Sequence, residues 1–262
     1  LLKTLIEDLQ QRRDAIKQAS CVIIAEMMMD IAMARQRFDR DDEAEAKHIM
    51  DEFQNMVRAR ERDAVHALLD IHSFTKNTYI DDDLNFKEGV WREDVFDAHA
   101  LERFGFDAGK AMASGAAAGL AIDLLVGGIT LGAAALTGAA VGFVLDSARR
   151  YGGRLKDAVR GQSVVKADEL VLMHLAEREI SLLVALLHRG HGAQDPVQRV
   201  DHTGEGSLQP VIDRLVKARP RLNWSKLNGI EAFTPSQKRR EHIQALASLI
   251  SQVMQGETPR QS

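Results

Sequence analysis

The nearest approach to a nucleotide-binding loop in this chain is Gly105-Phe106-Asp107-Ala108-Gly109-Lys110-Ala111. A phosphate loop needs four residues between its glycines and a Ser or Thr after the lysine to hold Mg²⁺. Here there are three, and Ala111 follows Lys110. Asp201-His202-Thr203-Gly204 matches the Asp-x-x-Gly of a nucleotide switch, but with no phosphate loop and no Asn-Lys-x-Asp in the sequence the match carries no chemistry. His188 and His191 are close enough in sequence to pair on a metal, yet no cysteine or second histidine pair is spaced to complete a tetrahedral site. The adjacent Asp81, Asp82 and Asp83 lack the further ligands at set spacing that a divalent cation requires. Neither Gly-x-Ser-x-Gly nor His-Glu-x-x-His occurs. The sequence points away from an enzyme and gives no catalytic, cofactor-binding or metal-ligating residue.

What stands out instead is a place of action. Ala111 to Leu145 contains no Lys or Arg and one acid, Asp123, and Leu124 to Leu145 alone is 22 uncharged residues. A bilayer-crossing helix needs roughly 20. A net charge of −4 gives no reason to expect nucleic acid as a partner. The single cysteine, Cys21, excludes an internal disulfide framework and fits a reducing compartment as a buried, inert thiol.

All five prolines lie beyond residue 195, leaving the preceding chain free to form long helices, and aromatic residues are only 5%. The fold class expected is all-α. Leu2, Leu9, Ile16 and Ile23 recur every seven residues and predict a helix over 1–38, with Met27–Met29 as core filling. Asp41 or Asp42 caps a second helix running to about residue 74, whose Arg58, Arg60, Glu61, Arg62 and Asp63 read as a solvated face. Two such antiparallel helices suggest a stalk, or a bundle if one bends. An acidic connector follows over 75–103, with Trp91 and Phe96 as anchors. Further helices are expected over 167–188 and 210–218. A last one opens on a Thr234-x-x-Gln237 capping box with Pro235 in its first turn, and 256–262 read as a disordered tail. The organisation expected is 1–103, 104–160 and 161–255. Leu1-Leu2-Lys3 is no initiator sequence and already carries helical spacing, so the chain reads as the C-terminal piece of something longer.

The apolar segment predicts a helical hairpin with arms over 108–126 and 129–148, turning at Gly127-Gly128. Glycines four apart let helix backbones approach closely. Gly115 and Gly119 supply this on one arm, and Gly132, Gly138 and Gly142 on the other. Arg103 and Lys110 precede the hairpin and Arg149, Arg150 and Arg154 follow it, so its open end is basic and its tip is not. That asymmetry suits a hairpin entering lipid from the cytoplasmic side. Asp123, one turn from the tip, opposes insertion. The alternative is a hairpin buried between the other helices, with glycine and alanine serving tight packing.

Four stretches carry a family resemblance: Phe104-Gly105-Phe106-Asp107, the Asp-Leu-Leu-x-Gly-Gly of Asp123–Gly128, Arg149-Arg150-Tyr151-Gly152-Gly153-Arg154-Leu155, and Leu186-Leu187-His188-Arg189-Gly190-His191. On these the chain resembles the C-terminal region of unknown function that follows an Era-like small GTPase domain in certain proteobacterial two-domain proteins. The resemblance implies that GTP and Mg²⁺ belong to such an upstream domain, none of whose motifs stand here. It also implies an accessory, non-enzymatic region coupling nucleotide state to membrane lipid or to self-association, at the cytoplasmic face of the inner membrane or in the cytoplasm. The rival reading is a soluble helical module that binds a protein partner or dimerises.

Overall fold

The computed structural model describes residues 1–39, 42–74, 86–87, 90–96, 120–124, 129–131, 162–189, 208–229 and 231–255. The heptad leucines and isoleucines form α1 (Leu2–Met33), which at 1.5 Å per residue is roughly 48 Å long. Its two halves live in different surroundings. Residues 1–15 are exposed, whereas Cys21, Ile24, Ala25 and the run Met27–Ala34 are buried. The methionines fill the core, as their position in an all-round apolar stretch requires. Burial also pushes the Cys21 thiol up to about 11, which makes it unreactive.

Asp42 caps α2 (Glu43–Ile71) by accepting from Glu45 N at 2.9 Å. Ser20 Oγ meets His72 Nε2 at 3.0 Å and Asp30 meets Arg60 at 2.9 Å, so α2 runs antiparallel to α1. Phe53, Val57, Ala64, Val65, Leu68 and Leu69 form its buried stripe. Three more helices, α3 (Glu169–Arg189), α4 (Gln209–Ala218) and α5 (Gln237–Met254), pack on the buried half of α1. Two short 3₁₀ turns, Leu222–Trp224 and Lys226–Asn228, close its end. There Asn228 donates to Met33 O at 2.9 Å and accepts from Arg35 N at 2.8 Å, satisfying backbone groups that the helix terminus leaves open.

A buried carboxylate ties these parts together. Asp30 Oδ2 accepts from Arg60 Nε at 2.9 Å, and Oδ1 from Arg239 Nη2 at 3.0 Å and from Lys226 N at 3.3 Å. The Asp30 carbonyl accepts from Ser225 Oγ at 2.6 Å. One residue of α1 thus holds α2, α5 and the turns.

The described residues are mostly helical but not all-α. A four-stranded antiparallel sheet has the order β1-β6-β4-β5, with β1 Gln36–Asp39, β4 Leu120–Leu124, β5 Ile129–Leu131 and β6 Gln162–Ala167. A two-stranded sheet pairs β2 (Phe86–Lys87) with β3 (Val90–Trp91). The first helix therefore stops short of residue 38: Ala34 turns extended (ψ 139°), and Phe38 buries itself opposite Ser163. The connector over 75–103 carries a small hairpin, and the segment after residue 161 opens on a strand.

The expected helical arms over 108–126 and 129–148 meet a correction. Where described, the segment is β: Leu124 stands opposite Ile129 and Asp123 opposite Thr130, while β4 also pairs with β6 from Leu120↔Ala167 to Leu124↔Ser163. Ile122 is β-branched and stands opposite Val165 of β6, while the β-branched Ile129 and Thr130 stand opposite Leu124 and Asp123 of β4. Pairing with a distant strand overrides the helix preference of the surrounding alanines.

The last helix starts differently from expectation too. Its N-cap is Ser236, whose Oγ accepts from Arg239 N at 3.1 Å, so Thr234 and Pro235 lie before the helix and no Thr-x-x-Gln box forms. Ser236→Ala is expected to cost about 1 kcal/mol and Thr234→Ala a few tenths at most. Chemical denaturation of the two variants distinguishes the caps.

Candidate functional site

Helix α3 is apolar around most of its girth, and Glu177-Arg178-Glu179 interrupts it midway. In water these charges would need no partners, but Arg178 is 2% exposed and Glu179 is fully buried. On α2, Glu61 is 6% exposed, so the charged face expected there to be solvated turns partly inward. Arg60 points to Asp30, and Glu61 meets Arg178.

The two helices and the β3 strand enclose this cluster. Arg178 Nη2 lies 3.1 Å from Glu61 Oε1, and the Arg178 guanidinium carbon sits 4.7 Å from the centre of the Trp91 ring. Trp91 Nε1 donates to Glu179 Oε1 at 3.2 Å. Behind it, Phe86 meets Trp91 edge-on with ring centres 5.1 Å apart. The following residues are pinned separately: Arg58 donates to Asp94 Oδ2 from Nη2 at 2.7 Å and from Nε at 2.9 Å, and its guanidinium lies 5.2 Å from the Phe96 ring centre. Trp91 and Phe96 are the anchors expected from the sequence. Between α2, residues 90–95 and Arg178 lies a cavity of about 290 Å³.

The electrostatics follow from burial. Desolvation raises Glu61, and the neighbouring Asp94 charge adds to it against the pull of Arg178 and Arg58. Desolvation and then the Glu61 charge push Glu179 up to about 8. Burial, reinforced by Arg178, lowers His174 to about 3, which keeps it uncharged at neutral pH. Nothing here assembles a nucleophile with a base. Among the described residues no group of three His, Cys, Asp or Glu is placed to hold a metal ion.

A second feature lies at the C-terminal end of α2. The exposed half of α1 and the ends of α2 and α3 border a groove of about 640 Å³, lined by Ile6, Leu9, Ile16, Ile71, Phe74 and Leu187 among others. Leu2, Leu5, Ile6 and Leu9 are 73, 55, 47 and 57% exposed. Four large aliphatic residues in about two turns form an apolar stripe with no cover among the described residues.

Of the residues singled out in the apolar segment, Asp123 lies in β4, not at the tip of a helical hairpin. Gly115, Gly119, Gly127, Gly128, Gly132, Gly138 and Gly142 lie outside the described residues, as do Arg103, Lys110, Arg149, Arg150, Arg154, the Asp81–Asp83 run, the switch-like Asp201–Gly204, His191 and the 256–262 tail. His188 belongs to the last turn of α3. No helix among the described residues is long and apolar enough to cross a membrane. The buried cluster was missed because charged residues on α2 alternate with solvated ones. The signal that could have found it is the Glu-Arg-Glu step within the otherwise apolar Leu170–Leu187.

The model of a family described as a domain of unknown function (DUF3482) matches residues 1–248. Neither the comparison with curated proteins nor that with solved structures finds a match.

Removing the cation tests the buried cluster. Arg178→Met leaves the buried Glu61 carboxyl without its cation, and is expected to cost about 3 to 5 kcal/mol of unfolding free energy in urea titrations at pH 7.

Proposed function

This chain belongs to the DUF3482 family, and we propose that it is a non-enzymatic, mostly helical interaction module. Its working surface is the outer half of α1 together with the groove that α1 forms with the ends of α2 and α3. The observation that carries this reading is the exposed stripe Leu2, Leu5, Ile6 and Leu9 beside a groove whose walls are mainly apolar, with Arg12 and Arg13 among the polar residues that line it. Apolar surface in contact with water is stabilised by about 25 cal/mol for each Å² that a partner covers. A helical surface with matching i, i+3, i+4 anchors suits this shape. The resemblance to regions that follow an Era-like GTPase makes such a domain the partner class, with the module relaying nucleotide state to what it holds or to another copy of itself.

Leu5→Glu combined with Leu9→Glu places two charges on the stripe without touching the core. Thermal unfolding is expected to stay unchanged, while binding to an Era-like GTPase domain, read by isothermal titration, falls at least tenfold. A chain that neither binds such a domain nor self-associates in sedimentation runs, or a double variant that behaves like the parent in both, would overturn the assignment.

A second reading rests on composition. The uncharged run Leu124–Leu145, with Lys110, Arg149, Arg150 and Arg154 around it, suits contact with anionic lipid from the cytoplasmic side. On this reading the chain co-sediments with vesicles containing phosphatidylserine, and Gly119→Leu weakens that binding. Retention of the unmodified chain in the supernatant at low salt removes the lipid role.

A further inference from the structure

The apolar stripe of α1 is longer than the groove beside it. Ile6, Leu9 and Ile16 line the groove, but Leu2 and Leu5, 73 and 55% exposed, stand beyond its lining on the same face of the helix. A partner that covers the stripe must therefore run alongside α1 over residues 2–16 and reach the groove as well. Leu2, Leu9 and Ile16 recur every seven residues, the spacing at which one helix packs along another. A bare helix of this length is marginal in water, and packing of its apolar face is what stabilises it.

The stripe is symmetric about Leu9. Seven residues separate Leu9 from Leu2 on one side and from Ile16 on the other. Two copies laid antiparallel with their Leu9 side chains opposed put each Leu2 against Ile16 of the second copy. Leu5 and Ile6 then lie over Arg13 and Arg12 of that copy, whose aliphatic stems cover apolar surface. The same setting brings each arm to the other's groove. Ser20 Oγ meets His72 Nε2 at 3.0 Å, so the end of α2, with Ile71 and Phe74, stands level with residue 20 of α1. The incoming Leu2 arrives about 6 Å short of that level, or four residues. A parallel pair would set tip against tip and leave both grooves uncovered.

The charges suit the antiparallel setting. Lys3, Arg12, Arg13 and Lys17 stand against Glu7, Asp8 and Asp14 along the arm, so two copies meet with little net repulsion. Asp8 and Arg12 pair at 3.0 Å on one flank of the stripe, where both are largely exposed. In an antiparallel pair like flanks meet, and each Asp8 comes within about 3 Å along the axis of Arg12 of the second copy.

We propose that a second copy of this chain occupies the stripe and groove, through antiparallel pairing of the two α1 arms about Leu9. The proposal rests on the outer half of α1 being the working surface, and commits that surface to self-association. A GTPase domain that binds the same stripe then competes with the second copy. The contact is one helix wide and about 22 Å long with a groove end at each extremity. That places it in the small class of interfaces, under about 1,200 Å² in total, whose pairs are weak.

Sedimentation equilibrium of the full chain over roughly 5 to 200 µM is expected to show reversible dimerisation. Leu9→Glu sets two like charges on the symmetry axis and is expected to weaken the dimer at least tenfold. Thermal unfolding of the dilute variant is expected to stay unchanged, because Leu9 is 57% exposed. Oxidative cross-linking reads the orientation: Leu2→Cys mixed with Ile16→Cys is expected to form disulfide-linked dimers, and Leu2→Cys alone is not. Three outcomes overturn the proposal: a parent chain that stays monomeric throughout, a Leu9→Glu chain that dimerises as the parent does, or Leu2→Cys copies that link to each other in place of the mixed pair. A monomeric parent whose Leu5→Glu/Leu9→Glu variant still loses binding to an Era-like GTPase domain overturns the self-pairing alone and leaves the working surface standing.

Discussion

Asp30 is the interaction on which the rest of the architecture rests. An ionised carboxylate in the centre of a protein is expensive unless every lone pair is used. Here two arginines from different helices and a backbone amide converge on its two oxygens, while its own carbonyl takes the Ser225 hydroxyl. Arg239 is itself almost fully buried and gives its Nε to Trp224 O at 2.8 Å. Buried ion pairs add little net stability over well-packed apolar groups, but they penalise every arrangement that separates them. The apolar residues of α1 would accept many rotations of α2 and α5. The Asp30 cluster accepts one.

Much of this was legible in the sequence. The helices over 2–33, 43–71, 169–189, 209–218 and 237–254 follow from apolar spacing, and Asp42 announces the start of the second by its type and place. The burial of Cys21 and of Met27–Met29 follows from the absence of any polar face around them. Trp91 and Phe96 stand out as the large apolar residues of an acidic stretch. Each of these inferences uses information within one or two helical turns.

What sequence reasoning missed depends on distant partners. Gln36–Asp39 becomes a strand only because Gln162–Val165 lies beside it, more than 120 residues later. Short strands carry weak intrinsic signals, and the alanines around Leu120–Leu124 argue for helix until the β6 edge is known. Glu61 looks like its solvated neighbours Arg62 and Asp63, and nothing local says that α3 will place Arg178 against it. Ser236 lost to Thr234 as the expected cap because a Pro in the first helical position is a strong statistical cue. The structure keeps that proline just outside.

Helix α1 is continuous across a change of surroundings, with residues 1–15 exposed and Cys21, Ile24, Ala25 and Met27–Met33 buried. A hydrogen-bonded rod of this kind is unbroken at the boundary, so the direction of the exposed arm is set by the packing of the buried part. The exposed arm is roughly 22 Å long and the part that follows it roughly 27 Å. The buried part carries Asp30, and through it Arg60, the neighbour of Glu61. The anchoring of the exposed arm and the charged cluster on α2 therefore share one buried carboxylate.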